Sequence, residues 1–232
     1  MTGSIVELVI AAAAFVGSHF YLSSGPPRAM LVERFGERGF LGIYSLLALL
    51  LLVGLIVAYA GAPFVEIWSP PGFLAVLPLL VMPVAIYFVI AGNSQPNPTA
   101  VGASPNLDRE RPAPGVFAIT RQPVMWGIGS WALSHLAING DLASILLFGS
   151  IAGLALYGTR VIDAKKRRAW PAEQWQRFAA ATSNLPFAAI IAGRVDLKVE
   201  DLGWWRLGLA VVLYFVLLAT HSLFAGVPVL SI

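Results

Sequence analysis

The chain has 232 residues and no cysteine. Disulfides, thiolate nucleophiles and Cys-ligated metals are therefore excluded. Charge is scarce as well. Asp, Glu, Lys and Arg make up 12% of the residues, about half the ~25% usual in soluble domains. Histidine occurs three times, as His19, His135 and His221. The flank of the first apolar run holds Glu7 and no Lys or Arg. It lacks the basic n-region of a signal peptide, so that run is expected to be retained as a first span. No internal repeat is present. The net charge of +3 does not call for nucleic acid, because the basic residues gather beside apolar runs. There membrane lipid is the nearer partner.

What the chain does have is hydrophobicity, 58% of its residues, in long uninterrupted runs. The expected fold is all-α: a polytopic membrane helical bundle in one domain over residues 1–232, with six transmembrane helices. The spans are read at 8–22, 40–60, 72–91, 124–139, 142–162 and 204–224, judged against a hydrocarbon core of ~30 Å. The fourth is short, and an upstream extension through Val116 would leave Arg121 to snorkel to the interface. Arg28, Arg34 and Arg38 follow the first span; Arg109, Arg111 and Arg121 precede the fourth. Lys165, Lys166, Arg167, Arg168, Arg177, Arg194 and Lys198 follow the fifth. The loops at 61–71 and 139–141 have no Lys or Arg. The positive-inside rule then puts the basic loops in the cytoplasm and both termini in the periplasm.

Gly25-Pro26-Pro27 is read as the stop of the first span, since proline cannot continue a helix. Residues 92–114, rich in Pro, Asn, Ser and Gly, are read as irregular. Residues 171–181, with Trp175 and Phe178 three apart, suit an interfacial helix. Residues 185–192 are apolar but too short to span, so they are expected at the interface or docked on the bundle.

The stretch 119–141 is expected to organise the rest. It opens on Arg121-Gln122-Pro123, runs apolar, carries His135 near its far end and closes on Asn139-Gly140-Asp141. Its small residues Gly127, Gly129, Ser130 and Ser134 let neighbouring helices approach, which places it at the centre of a bundle. At its end, Gly140 is read as a left-handed turn residue and Asp141 as the N-cap of the next span, with a catalytic Asp141 as the alternative.

All three histidines fall inside predicted spans. A membrane histidine can serve as an interhelical hydrogen bonder. Three, with none in a loop, point to ligation or proton handling. Imidazole suits iron, copper and zinc alike, and two axial imidazoles around a haem is an economical arrangement in a bundle. Glu7 is either a solvated carboxylate or the acceptor for a histidine N–H. Tyr214 lies on the same helical face as His221, either facing the same cavity or as a bundle residue with a satisfied hydroxyl.

The residues Thr120-Arg121-Gln122-Pro123, Gly127, Trp131, His135, Asn139-Gly140-Asp141 and Leu147-Phe148-Gly149 resemble the NnrU family. The likeness extends to Ser18-His19, Asp163, Phe178, Ser183 and Pro186-Phe187, so it covers essentially the whole chain. The resemblance implies a bacterial inner (cytoplasmic) membrane protein linked to nitrite and nitric oxide reduction. A related family, the zeta-carotene isomerases, consists of haem b enzymes acting on a cis double bond of a carotenoid. Their two haem histidines match His19 and His135. Their cysteine three before the second histidine is replaced by Ala132, which removes any thiolate ligand switch. A more distant likeness, to the isoprenylcysteine carboxyl methyltransferases, rests on Arg121, Pro123 and Gly127, with Gln122 and Met125 departing from the pattern.

The expected function is therefore that of an NnrU-type protein binding haem b, with His135 and His19 on the iron. Depth in the bilayer offers His221 as the alternative partner of His135. The rivals are a haem-dependent isomerase of a lipid-soluble polyene, and a cofactor-free assembly factor for a membrane reductase; methyl transfer is a third.

Overall fold

The computed structural model describes residues 3–23, 25–100, 113–227 and 229. Arg109 and Arg111, counted above among the cytoplasmic charges, lie outside them. The described chain is helical throughout: α1 (Ile5–Ser23), α2 (Gly25–Gly61), α3 (Val76–Ser94), α4 (Val116–Ile119), α5 (Pro123–Ile138), α6 (Leu142–Ala169), α7 (Ala172–Ala181), α8 (Ala188–Ile191) and α9 (Trp204–Ala225). Short 3-10 turns precede α3 and α9. Five helical segments are long and apolar enough to cross a membrane: Ile5–Ser23, Gly25–Gly61, Gly72–Ser94, Leu142–Ala169 and Trp204–Ala225. The chain is a membrane protein. Helix α5, with 16 residues, is ~24 Å long at 1.5 Å per residue and falls short of the other five.

The chain forms two compact units, Met1–Ala75 with Ala132–Leu154, and Val76–Trp131 with Ala155–Ile232. In the first, α1 and α2 are antiparallel. At one end the Gly3 N–H donates to the Gly61 carbonyl at 3.3 Å; toward the other, His19 meets Tyr44. Leu8, Ala12 and Phe15, all buried, form the stripe of α1 that a 3.6-residue period places on one face. The pair Gly25-Pro26-Pro27 does end α1, but it also starts α2. Proline is tolerated in a first turn, where its missing N–H has no helical partner. Residues 25–39 are thus helical, where the sequence suggested a loop. The interruption comes at Gly36, whose φ of 71° and ψ of 168° are accessible essentially to glycine alone. Across this break Arg28 pairs with Glu37 and lies over the Phe40 ring.

Past α2, the loop at 61–71 is fastened to the turn between α5 and α6. The N–H groups of Ile67 and Trp68 donate to the Gly140 carbonyl, at 2.7 and 3.0 Å, and the Leu142 N–H donates to the Val65 carbonyl at 2.9 Å. Asp141 caps α6 as expected: its Oδ1 accepts the Ser144 N–H at 3.0 Å. Tyr59 and Ser144 share a hydroxyl hydrogen bond of 3.1 Å in the same region.

The core of the second unit joins Tyr87, Phe88 and Ala91 of α3 to Val116, Phe117 and Ile119 of α4 and Ala210 of α9. In this unit the first half of α5 sits between α3 and α6. A Cβ on Gly127 would crowd the Ala85 carbonyl and Val89, and one on Gly129 would crowd Leu156. Two glycines two residues apart face opposite sides of a helix, so a neighbour lies close on each side. The interior position expected for this stretch is found. Its upstream extension is not. Thr120 is extended, with φ −155° and ψ 144°, and Pro123 disfavours helical geometry at the residue before it. The segment 185–192 is docked: α8 packs on α4, with Ala189 fully buried.

Gly140 requires a correction. The positive-φ glycines do not include it. It is needed for space: a Cβ there would overlap the Trp68 carbonyl and press on Pro70 Cδ at 3.1 Å. A left-handed site would accept asparagine, whereas this site accepts no side chain. Gly140→Asn and Gly140→Ala should both destabilise, by roughly 1–3 kcal/mol, as measured by thermal unfolding in detergent. A wild-type melting point for Gly140→Asn would restore the left-handed reading.

Candidate functional site

The densest polar assembly lies in the second unit, built from three segments far apart in sequence. Asp163, on α6, is its hub. The Arg121 Nε donates to Asp163 Oδ2 at 2.9 Å, and Arg121 Nη2 lies 2.8 Å from the same oxygen. The Gln122 Nε2 donates to Oδ1 at 2.9 Å, and the Asn184 Nδ2 to Oδ2 at 3.0 Å. The carboxylate therefore accepts from a guanidinium and two amides, a set that satisfies both oxygens. Arg121 also reaches the Thr182 carbonyl and lies over the Trp175 ring at 5.6 Å. The side chains of Arg121 and Asp163 are 14% and 17% exposed, so this is a sheltered pair, not a surface one. Arg121 does not snorkel; Asp163 holds it.

Around this hub the backbone is tied as well. The Thr120 hydroxyl and the Trp126 indole N–H both donate to the Asn184 carbonyl at 2.7 Å. The Arg121 N–H donates to the Ser183 carbonyl, and the Phe187 N–H to that of Ile119. Ser183 Oγ accepts the Ala189 N–H and donates to the Leu185 carbonyl. Arg194 closes the C-terminal end of α7 by donating to the carbonyls of Ala179, Ala180 and Thr182. Within this assembly Phe187 is left-handed, with φ 65°. That conformation costs a bulky residue on the order of 1–3 kcal/mol, and the bonds on either side maintain it. The acid, amides and guanidinium are all spent on one another. The assembly acts as a latch on the 182–187 turn.

The histidines are placed as follows. His19 continues the α1 stripe after Leu8, Ala12 and Phe15. Its Nδ1 lies 2.6 Å from the Phe15 carbonyl. A carbonyl only accepts, so Nδ1 is the donor in this bond and Nε2 is the nitrogen not committed to it. The ring stands against Phe15, with centroids 4.6 Å apart, and edge-on to Tyr44 at 5.6 Å. His135, also in the first unit, has its Nδ1 3.4 Å from the Ser134 hydroxyl and its ring 5.4 Å from that of Phe148. Phe148 in turn meets Tyr59 at 6.3 Å. Thus His19 stands at the level of Tyr44 on α2, and His135 near the level of Tyr59. Fifteen residues of helix separate these tyrosines, ~22 Å at 1.5 Å per residue.

His221 belongs to the second unit. Its Nδ1 donates to the Val227 carbonyl at 2.8 Å, tying down the chain just beyond the C-terminal end of α9. Tyr214 packs edge-on against Phe215. Glu7 has a local role: its Oε2 accepts the Ser4 N–H at 2.9 Å while Ser4 Oγ accepts the Glu7 N–H at 3.1 Å. This reciprocal pair is a capping box at the start of α1. Among the described residues no group of three or more His, Asp or Glu side chains is arranged to hold a metal ion.

Asp163, Ser183 and Thr120 to Gln122 carry the family resemblance, but sequence reasoning assigned them no common role. Asn184 went unnoticed. The available signal was a lone aspartate at the end of an apolar run, which needs a cationic partner to be sheltered. Replacing Asp163 by Ala would strand the guanidinium, with an expected loss of roughly 2–3 kcal/mol in this partly exposed setting. The double variant Arg121→Met with Asp163→Leu should lose less than the sum of the two single changes. Denaturant titration in detergent tests this, and strict additivity would show that the two side chains act independently.

Comparison with known proteins places these observations in one family. No curated protein matches the chain, and neither does any solved structure. The family model described as NnrU protein matches residues 7–229, which take in His19, Arg121, His135, Asp163, Asn184 and His221. With nearly its whole length accounted for, the chain belongs to the NnrU family.

Proposed function

We propose that this chain is a six-span protein of the bacterial inner membrane, that it serves nitrite and nitric oxide respiration, and that it takes a haem b on His19 and His135. The observation that carries the haem reading is the bond from His19 Nδ1 to the Phe15 carbonyl. With its Nδ1 proton given to the Phe15 carbonyl, the ring offers Nε2, the arrangement by which proteins orient an imidazole toward a metal. His221 makes the same kind of bond but lies outside the family's haem pattern. His135 lies inside that pattern, with its Nδ1 3.4 Å from the Ser134 hydroxyl.

In this reading the protein's own groups have simple tasks. Phe15 holds the Nδ1 proton and thereby the ring orientation; Tyr44 and Phe15 flank the ring and keep water from it. Haem bound there would supply redox-active iron.

The sixth span is α5. Support comes from the fastening of the loop at 61–71 to the turn at 139–141. Both must lie on one side of the membrane. A chain that leaves that side through α3 has to return through α5. The absence of Lys and Arg from both loops assigns that side to the periplasm, and both termini with it. A domain of 1–232 crossing six times suits the family match.

Two measurements check these proposals. Alkaline phosphatase fused at Glu173 should be inactive and at Ser69 active; activity at Glu173 would overturn the orientation. For the haem, the purified protein should show a Soret band that His19→Ala and His135→Ala each shift or remove and that His221→Ala leaves in place. If His221→Ala alters it while His19→Ala does not, the ligand assignment is wrong. A featureless wild-type spectrum would leave the assembly-factor reading and eliminate both haem proteins, the polyene isomerase included.

A further inference from the structure

The latch around Asp163 holds a segment whose outer surface is apolar. In the turn that follows Asn184, Leu185 is 59% exposed, Phe187 45% and Ile191 84%. None of the three lies in a span; they fall between α6 and α9. The level of the turn is fixed, because Asn184 and Phe187 are bonded to Thr120 and Ile119, just ahead of α5. On the six-span reading proposed above, on which this inference rests, it sits where α5 enters the membrane, at the interface. Phe187 is the informative residue. Its backbone is held in a conformation unfavourable for a bulky side chain, yet nearly half of the residue stays exposed. Glycine or asparagine would fit the backbone better, so the ring needs a partner outside the chain.

Charge identifies that partner. Between 164 and 203 the chain carries Lys165, Lys166, Arg167, Arg168, Arg177, Arg194 and Lys198 against Glu173, Asp196, Glu200 and Asp201. Arg167, Arg168, Arg177, Arg194 and Lys198 are exposed, against exposed Glu173, Asp196 and Glu200, so the cations are in excess. Trp204 and Trp205, 71% and 56% exposed, open α9 directly afterwards, and tryptophan is enriched at the headgroup level. Exposed apolar side chains bordered by cations are the combination that binds an anionic membrane surface. A second copy of the chain would have to bring anions to the same patch, and its own copy of the patch is cationic.

We propose that the turn at 185–191 is a lipid wedge. Leu185, Phe187 and Ile191 enter the boundary between headgroups and acyl chains of the cytoplasmic leaflet, and the surrounding cations hold anionic phospholipid against it. The polar latch aims the wedge, and the strain at Phe187 is retained because it turns a phenyl ring outward.

The absence of native cysteine gives a direct test. Phe187→Cys, Ile191→Cys and, as a control on the exposed first turn of α7, Glu173→Cys are each spin-labelled. Each is reconstituted in nanodiscs of phosphatidylcholine alone or mixed with phosphatidylglycerol. Labels at 187 and 191 should be more accessible to oxygen than to a water-soluble nickel complex, with the order reversed at 173. Phosphatidylglycerol should deepen the immersion at 187 and 191, and Lys198→Gln should reduce that gain. Three results would each overturn the proposal: preferential access of nickel at 187 and 191, shielding from both reagents or spin–spin broadening between copies, or immersion equal in the two lipids. Agreement between positions 187 and 191 guards against a local effect of relieving strain at Phe187 alone.

Discussion

The second unit depends on one carboxylate. Asp163 stands near the end of a largely apolar helix, where an unpartnered acid would be costly. It is accommodated because Arg121, Gln122 and Asn184 converge on its two oxygens. Convergence of that kind fixes geometry in three places at once. It sets where α5 begins, holds the 182–187 turn beside that start, and through the turn maintains a left-handed phenylalanine. The donors come from two stretches of chain and the acceptor from a third, so the network forms only when those stretches have come together. Its main contribution is to select one arrangement of the segments; the net stability gained from a sheltered ion pair is small.

Much of this architecture could be read from the chain itself. Long apolar runs identified five helices because hydrocarbon leaves a backbone no alternative to internal hydrogen bonding. Asp141 was identified as an N-cap because a short acid before an apolar run has few other roles. The small residues Gly127 and Gly129 correctly signalled close neighbours. Where the reading failed, the missing information was three-dimensional. Gly140 was assigned a backbone role when its constraint is steric, imposed by the carbonyl of Trp68, a residue remote in sequence. The diproline at 26–27 was taken as a stop although the same chemistry suits a helix start. Arg121 was expected to reach for water because nothing local marks Asp163, on another helix, as its partner.

The histidines show the limit of pattern reasoning most clearly. Their placement within apolar runs is a property of sequence; their mutual distance is not. Two of them share a unit yet stand at different levels of it, one beside Tyr44 and the other near Tyr59. Hydrogen bonds then differentiate them further. His19 and His221 each donate from Nδ1 to a carbonyl, while Nδ1 of His135 faces the Ser134 hydroxyl. Residues of one type thus occupy different chemical situations, and composition alone would have treated them as interchangeable.

The fastening of residues 65–68 to the turn at 140–142 bears on how the protein is made. Synthesis runs from the N-terminus, so the first strand of that contact emerges well before the second exists. Until α5 and its following turn have been made, the backbone groups of Val65, Ile67 and Trp68 lack the partners they have in the finished fold. Closing so long a loop in a free chain would be slow. Here most of the search is removed beforehand, because spans already inserted in the membrane restrict where the turn can arrive. The contact is therefore a late step of assembly, formed when α5 delivers Gly140 to a waiting loop. A side chain at that position would obstruct the joining itself.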